Sequence, residues 1–297
     1  MFATEWQSTE PSAPKAIVQI IHGMAEHRAR YDEFARYLAG AGYAVYAEDH
    51  RGHGETAGAL AEAGHLADSG GWDLVVSDLR KLSTIARESH PDLPLFLFGH
   101  SMGSIFARDY LVNEGHSLAG VILSGANGNP GAMLRVGLFL SKRQIARKGA
   151  RHPSSSLNGL TFGSFNRPFK PAVTEFDWLS RDAEEVAAYV ADPYCGFVCT
   201  AAFFLDLFTG TQRIYRQDQI RKVPAELPLF FISGEQDPVG SFGKGVKRSA
   251  DEYRAAGGRD VSVRLYPEAR HELLHELNRS EVYEDVLSWL DSHLPGR

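Results

Sequence analysis

The chain has 297 residues, enough for one large domain or a domain with an insertion, and its 43% hydrophobic and 23% charged content is ordinary for a globular protein. Net charge is −6 with no basic block, which leaves nucleic-acid binding without an electrostatic basis. No apolar run reaches the roughly 18 residues that span a bilayer, and the first residues carry neither a basic n-region nor an apolar h-region. Two cysteines, Cys195 and Cys199, stand four apart as helix neighbours would and make no disulfide framework, so cytoplasmic residence is the default expectation.

The β-branched run Ala16–Ile21 predicts a strand leading into His22-Gly23, and Tyr43–Ala47 a second leading into Glu48-Asp49-His50. Between them Tyr31, Phe34 and Leu38 share a helical face. Val75, Leu79, Leu82 and Ile85 keep the same spacing before the apolar run Leu95–Phe98. Helix-compatible sequence follows from Ser104, then the buried-strand pattern Leu118–Ser124. Alternation of this kind implies a mostly parallel α/β sheet covered on both faces.

The rhythm stops at Asn127. Helical segments (Met133–Ile145, Asp182–Ala191, Cys199–Ile220) and a Ser/Asn/Gly/Pro-rich stretch over 152–171 fill about a hundred residues, until Leu227–Ser233 restores a strand. Lys244–Ala256 reads as a helix ended by Gly257-Gly258, and Val261–Tyr266 as the last strand. Ser280 is placed to cap a final helix with Val282, Val286, Trp289 and Leu290 on one face. The expected organisation is a split core, 1–126 plus 226–297, interrupted by a helical insertion at 127–225.

The strand Leu95–Phe98 runs into Gly99-His100-Ser101-Met102-Gly103 and then a helix. That is the context a nucleophile elbow needs. The tight turn forces the serine into a strained conformation, and the glycines let strand and helix pass closely. A serine hydroxyl needs a base, and the base an orienting acid. In a parallel sheet such groups gather beyond the C-terminal strand ends. The strand ending at Ser233 is followed by Glu235 and Asp237, and the strand ending at Tyr266 by His271. Asp237 is preferred over Glu235 because Asp-Pro presents a short side chain at a strand-end turn. The chain order Ser101, Asp237, His271 is that of the α/β-hydrolase arrangement. Backbone N–H groups of Met102 and Met24 are expected to form the oxyanion hole.

His22-Gly23-Met24-Ala25-Glu26-His27, Asp49-His50-Arg51-Gly52-His53-Gly54, the elbow, Leu179-Ser180-Arg181-Asp182, Asp192-Pro193 and Tyr266-Pro267-Glu268-Ala269-Arg270-His271 resemble the monoacylglycerol lipase and lysophospholipase group of α/β-hydrolases. The resemblance runs nearly end to end. It implies an α/β-hydrolase fold with a helical cap, hydrolysis of esters of lipid-like acyl chains, no cofactor, and transient contact of the cap with a membrane surface or micelle. It also implies that the chain starts where the group's second strand lies. The middle of the cap, 152–171, matches nothing in the group.

His271-Glu272-Leu273-Leu274-His275 is also a literal His-Glu-x-x-His. Zinc would need a third ligand, and the metzincin extension fails at Asn278 and Glu281, so no metal is expected. Asp49–Gly54 reads as a structural turn, His22 and His27 as braces of the oxyanion loop, and His90 and His116 as solvated. Phe203, Phe204, Leu205, Leu207 and Phe208 are divided between cap core and an acyl pocket, with Phe203, Phe204 and Leu207 the candidate substrate contacts. A general carboxylesterase is the first rival function. A proline-iminopeptidase-type peptidase is the second; it would need acidic groups such as Asp182, Glu184 and Glu185 to hold a free amine.

Overall fold

The computed structural model describes residues 1–8 and 13–295. In chain order the elements are β1 (Ala3–Trp6), β2 (Ala16–Ile21), α1 (Asp32–Gly40), β3 (Tyr43–Glu48), α2 (Gly71–Ser89), β4 (Leu95–His100), α3 (Met102–Glu114), β5 (Gly120–Ser124), α4 (Ala132–Lys148), α5 (Ser155–Phe162), α6 (Ala183–Ala191), α7 (Ala201–Ile214), α8 (Gln217–Ile220), β6 (Leu229–Gly234), α9 (Lys244–Ala255), β7 (Val261–Tyr266) and α10 (Arg279–Ser292). The strands form one sheet in the order β1-β3-β2-β4-β5-β6-β7. All neighbours are parallel except β1, which pairs antiparallel with β3.

Every residue of β2 through β6 is buried, which is why these strands read as continuous apolar runs. One face packs against α2, α3, α7 and α9 through Trp72, Val75, Leu79, Phe106, Phe203 and Val246. The other packs against α1 and α10 through Phe34, Leu38, Val282, Val286 and Leu290. The register sets Ile21 beside Gly99 and His100 beside Ser124, so the C-terminal ends of β2, β4 and β5 stand level. The loops after them therefore meet along one edge of the sheet.

Between β5 and β6 the described residues add helices α4 to α8 and no strand of the sheet. Among the described residues, no helix is long and apolar enough to cross a membrane.

Several expectations are corrected. A strand, β1, stands ahead of Ala16, held at the sheet edge by pairing with β3 and by the Trp6 Nε1–H bond to Asp32 Oδ1 at 2.8 Å. The Ser/Asn/Gly/Pro-rich stretch contains helix α5, capped by Ser154 Oγ, which accepts the Leu157 N–H at 3.2 Å. The single helix expected over Cys199–Ile220 starts at Ala201 and breaks at Tyr215, whose hydroxyl turns back to the Asn127 carbonyl at 2.5 Å. Cys195 and Cys199 lie in the irregular stretch between α6 and α7 rather than on a helix. Asn278, not Ser280, is the N-cap of α10. Ile85 is exposed, and His90 pairs with Glu5 of β1 at 3.3 Å.

Candidate active site

β4 ends at His100 and α3 begins at Met102, leaving Ser101 alone to make the turn, with φ 52° and ψ −117°. Holding a non-glycine residue there costs about 1–3 kcal/mol. The neighbours permit it. A Cβ on Gly99 would stand 2.6 Å from the Gly103 carbonyl oxygen, and one on Gly103 would collide with the Ile21 carbonyl of β2. Only glycines let strand and helix pass this closely. The turn is fastened by the Ser101 N–H to Ser124 O at 2.9 Å and the Ser104 hydroxyl to Ser101 O at 2.6 Å. The Ser101 side chain is left half-buried.

Two strand-end loops complete the arrangement. His271, five residues past β7, sets Nε2 2.9 Å from Ser101 Oγ, and its Nδ1 lies 2.9 Å from Asp237 Oδ2, three residues past β6. Asp237 is fully buried and accepts from the Val239 N–H at 2.8 Å and the Ser233 hydroxyl at 3.1 Å. A carboxylate beside Nδ1 fixes the proton there, so Nε2 is the acceptor facing the serine. Burial by itself lowers the His271 pKa. The charge and hydrogen bond of Asp237, with smaller help from Glu272 and Glu26, outweigh burial and raise it above the ordinary value. Glu235 is exposed, away from this line of contacts.

The loop after β2 comes against Ser101: a Cβ on Gly23 would lie 3.3 Å from the Ser101 Cβ. Glu26 Oε1 accepts the Gly23 N–H at 2.5 Å and the Tyr31 hydroxyl at 2.8 Å. Arg30 binds Glu26 Oε2 at 2.9 Å and grips Glu272 at 2.5 and 2.8 Å. His22 is buried and neutral, its pKa lowered well below ordinary by burial and by His50 and His53. Its Nε2 accepts the His50 N–H at 3.0 Å, so Nδ1 donates to the Gly23 carbonyl at 2.8 Å. His27 instead reaches Asp192 beyond α6 at 2.8 Å. The histidines of 49–54 thus stack behind the loop, with His22 and His50 rings 3.8 Å apart.

The serine opens into a cavity of about 830 Å³. Met24 and Met102 line it together with Ser101 and His271, and α4, α5 and α7 contribute Met133, Leu134, Leu160, Phe162, Leu207 and Phe208. Of the three apolar residues expected at a pocket, Leu207 faces the cavity. Phe203 and Phe204 are fully buried in the apolar cluster that holds Trp72 and Phe106, and neither is among the cavity-lining residues.

The His-Glu-x-x-His segment is no helix face: a loop enters a single turn, Leu273–His275. Glu272 is held by Arg30, and His275 Nε2 binds the Arg30 carbonyl at 3.0 Å. Among the described residues, the group with metal-ligand proximity is His27, Asp192 and Cys195 instead. Two residues escaped the sequence reading. Arg30 carried a signal, since Glu26 and Arg30 have the i,i+4 spacing of an ion pair. Trp178, 5.1 Å from the His271 ring, carried none.

A mostly parallel sheet with a strained serine between strand and helix, in contact with a strand-end histidine and carboxylate, defines a serine hydrolase of the α/β-hydrolase fold. The family model described as serine aminopeptidase, S33, matches residues 12–278, and the chain belongs to that family. It is similar to the monoacylglycerol lipase of Mycolicibacterium smegmatis, with 31% identity covering 96% of this chain and 91% of that protein. It is also similar to the monoglyceride lipase of Mus musculus, with 27% identity over 99% and 88%. The crystal structure of a highly thermostable carboxyl esterase from Bacillus coagulans in complex with glycerol superposes with a TM-score of 0.91 at 32% identity, covering 98% of this chain and 94% of that one. These findings together make the protein a serine ester hydrolase.

Proposed function

We propose that the protein hydrolyses carboxylic monoesters of lipid-like acyl chains, of the monoacylglycerol or lysophospholipid type, through Ser101, His271 and Asp237. The observation that carries this reading is the contact chain Ser101 Oγ, His271 Nε2, His271 Nδ1, Asp237 Oδ2 opening into a cavity walled by apolar side chains. His271 Nε2 accepts the Ser101 proton as Oγ attacks the ester carbonyl. The carbonyl oxygen takes the negative charge, facing the backbone N–H groups of Met24 and Met102, and losing one such donor costs about 3–4 kcal/mol. His271 then protonates the leaving alcohol as the C–O bond breaks, which leaves an acyl group on Ser101. Water repeats the sequence, releases the fatty acid and restores the serine.

The segment 127–225 serves in this reading as a cap that selects substrate, since α4, α5 and α7 supply most of the apolar wall. Each buried methylene of an acyl chain is worth about 0.8 kcal/mol. The peptidase alternative fares worse. Asp182 caps α6 and pairs with Arg279, Glu184 is exposed, and none of Asp182, Glu184 and Glu185 lines the cavity. Of the carboxylates that do line it, Glu26 and Glu272 are already held by Arg30, and Glu175 is exposed.

α4 leaves Met133, Val136, Phe139 and Leu140 exposed, Phe139 at 62%. With Arg135, Lys142 and Arg143 on the same helix, this surface suits a membrane or micelle interface. Phe139→Asp should therefore weaken co-flotation with anionic vesicles while sparing turnover of a soluble ester.

The substrate class is tested by a chain-length series of p-nitrophenyl esters and 1-monoacylglycerols on the wild type and on Leu207→Asp. Medium chains should exceed acetate, and Leu207→Asp should penalise them more than acetate. A flat profile would leave a general carboxylesterase, and preferential cleavage of an N-terminal aminoacyl substrate would favour the peptidase.

A further inference from the structure

His271 is flanked by two rings. His100, at the end of β4, lies 4.8 Å from it between centroids at 47°; the Trp178 indole lies 5.1 Å away at 38°. His100 is no rival for the proton, because burial and then the nearby His271 pull its pKa down to about 3. Trp178 is different in kind. It is buried, it borders the cavity, and it belongs to the link between α5 and α6 rather than to the core.

That link is strapped to the histidine loop on both sides of His271. Arg270, the preceding residue, donates to the Asp177 carbonyl and to the Ser180 carbonyl at 2.9 Å. Glu272, the following residue, gives its N–H to the Leu179 carbonyl at 2.7 Å. The Ser180 hydroxyl donates to His275 O at 2.7 Å, and Arg181 Nε to Glu276 Oε2 at 2.8 Å. From the other side Asn166 Oδ1 accepts the Trp178 N–H at 2.9 Å, and the Phe162 and Phe165 rings pack on the indole at 6.1 and 5.1 Å. A tryptophan needed only to fill space would not require carbonyls on both sides of it to be held by the two neighbours of the histidine.

We propose that Trp178 is a positioning residue: its π face steadies the imidazolium form of His271, and the strap over 177–181 brings cap and general base together as one unit. The inference rests on the triad reading above. An aromatic face attracts a cation within about 6 Å of its centroid, most strongly where water is excluded. His271 carries positive charge at each transition state, so the indole acts when the charge is present and matters little in the resting enzyme. The other groups that bear on His271 are Asp237 after β6, His100 on β4, Glu26 after β2 and Glu272 on its own loop. All remain in a Trp178 variant, and thinner cover over the ring would raise the His271 pKa, since burial lowers it, so a fall marks the loss of the indole face.

The test uses the full chain, p-nitrophenyl butyrate, and the variants Trp178→Leu and Trp178→Phe. For Trp178→Leu the acid-side pKa of kcat/KM should fall by about half a unit to one unit. Its kcat should fall about tenfold, with KM changing far less. Trp178→Phe should retain much of both. Independently, the part of tryptophan emission that is lost in Trp178→Phe should titrate with His271, because imidazolium quenches indole, and that part should be level with pH in His271→Gln; Trp289, whose ring lies 4.3 Å from His293, supplies a background common to both proteins. An unshifted acid limb in a folded Trp178→Leu, or a Trp178 component of the emission that still titrates in His271→Gln, overturns the proposal. If Trp178→Leu does not fold, Trp178→Phe and the emission titration decide alone. Fluorophosphonate labelling of wild-type Ser101 separates the two failures: with labelling intact only the role of Trp178 falls, and without it the triad reading falls.

Discussion

Arg30 holds Glu272 by two parallel N–H···O contacts of 2.5 and 2.8 Å across 242 residues of sequence. The same guanidinium binds Glu26, whose other oxygen takes the Gly23 N–H of the loop beside Ser101. One cation thereby ties the expected oxyanion loop to the loop that carries His271. The three side chains are only 9%, 6% and 3% exposed for Arg30, Glu272 and Glu26. Burial pushes the Glu272 carboxyl up, but the charge and hydrogen bonds of Arg30 outweigh it and hold it well below the usual carboxylate range. A planar fork is the cation suited to this double grip.

Removing one partner of a buried ion pair leaves charge without compensation and typically costs about 3–5 kcal/mol. Arg30→Met should therefore destabilise the protein by about that much and lower kcat, as both loops lose their common tether. Arg30→Lys keeps the charge without the fork and should recover part of each. Denaturant unfolding with parallel kinetics checks this; wild-type stability and turnover in Arg30→Met would show that the bridge is incidental.

Asp237 should matter through the His271 tautomer. Asp237→Asn preserves shape but lets the ring carry its proton on the wrong nitrogen, and turnover should fall by about 10⁴. Glu235 is exposed, so Glu235→Gln should leave turnover nearly unchanged. The reverse ranking in steady-state assays would move the acid to Glu235.

Acid should unfold the protein through its buried histidines. Burial lowers the pKa of His22 well below ordinary and brings those of His53 and His100 to about 3. In the unfolded chain each takes a proton below about pH 6.5 that the folded chain refuses. Stability is thus intact above that pH and lost as pH falls toward about 3, by up to about 1.4 kcal/mol per unit for each group. Asp206, which burial pushes up to about 6, and Glu48 and Asp109, which burial also pushes up, oppose this in part. Melting temperature should drop steadily on acidification, and His53→Gln should flatten the slope. A level profile through the window would contradict the assignment.

The contact among Ser101, His271 and Asp237 was legible because each of the three follows a strand whose apolar run marks its own end. β7, the edge strand, is only partly buried and still alternates well enough to locate His271. What escaped depends on contacts rather than on local pattern. β1 has four residues, of which Trp6 is buried and two are exposed, and exists because β3 offers a free edge. α5 contains serine, asparagine and glycine, poor helix formers, and stands on its Ser154 cap and the buried Leu157. Phe203 and Phe204 looked like pocket residues because an all-apolar run has no visible inner face; packing against the core took them. Trp178 and the Arg30–Glu272 bridge join segments far apart in sequence, which periodicity does not register.

The central claim is that Ser101 is a nucleophile activated by His271, whose pKa stands raised above the ordinary histidine value. Fluorophosphonate treatment followed by peptide mass spectrometry tests it most directly. The account predicts one adduct, on Ser101, with loss of labelling and a fall in ester turnover of about a millionfold in Ser101→Ala. An adduct on another residue, or undiminished turnover in Ser101→Ala, would contradict it.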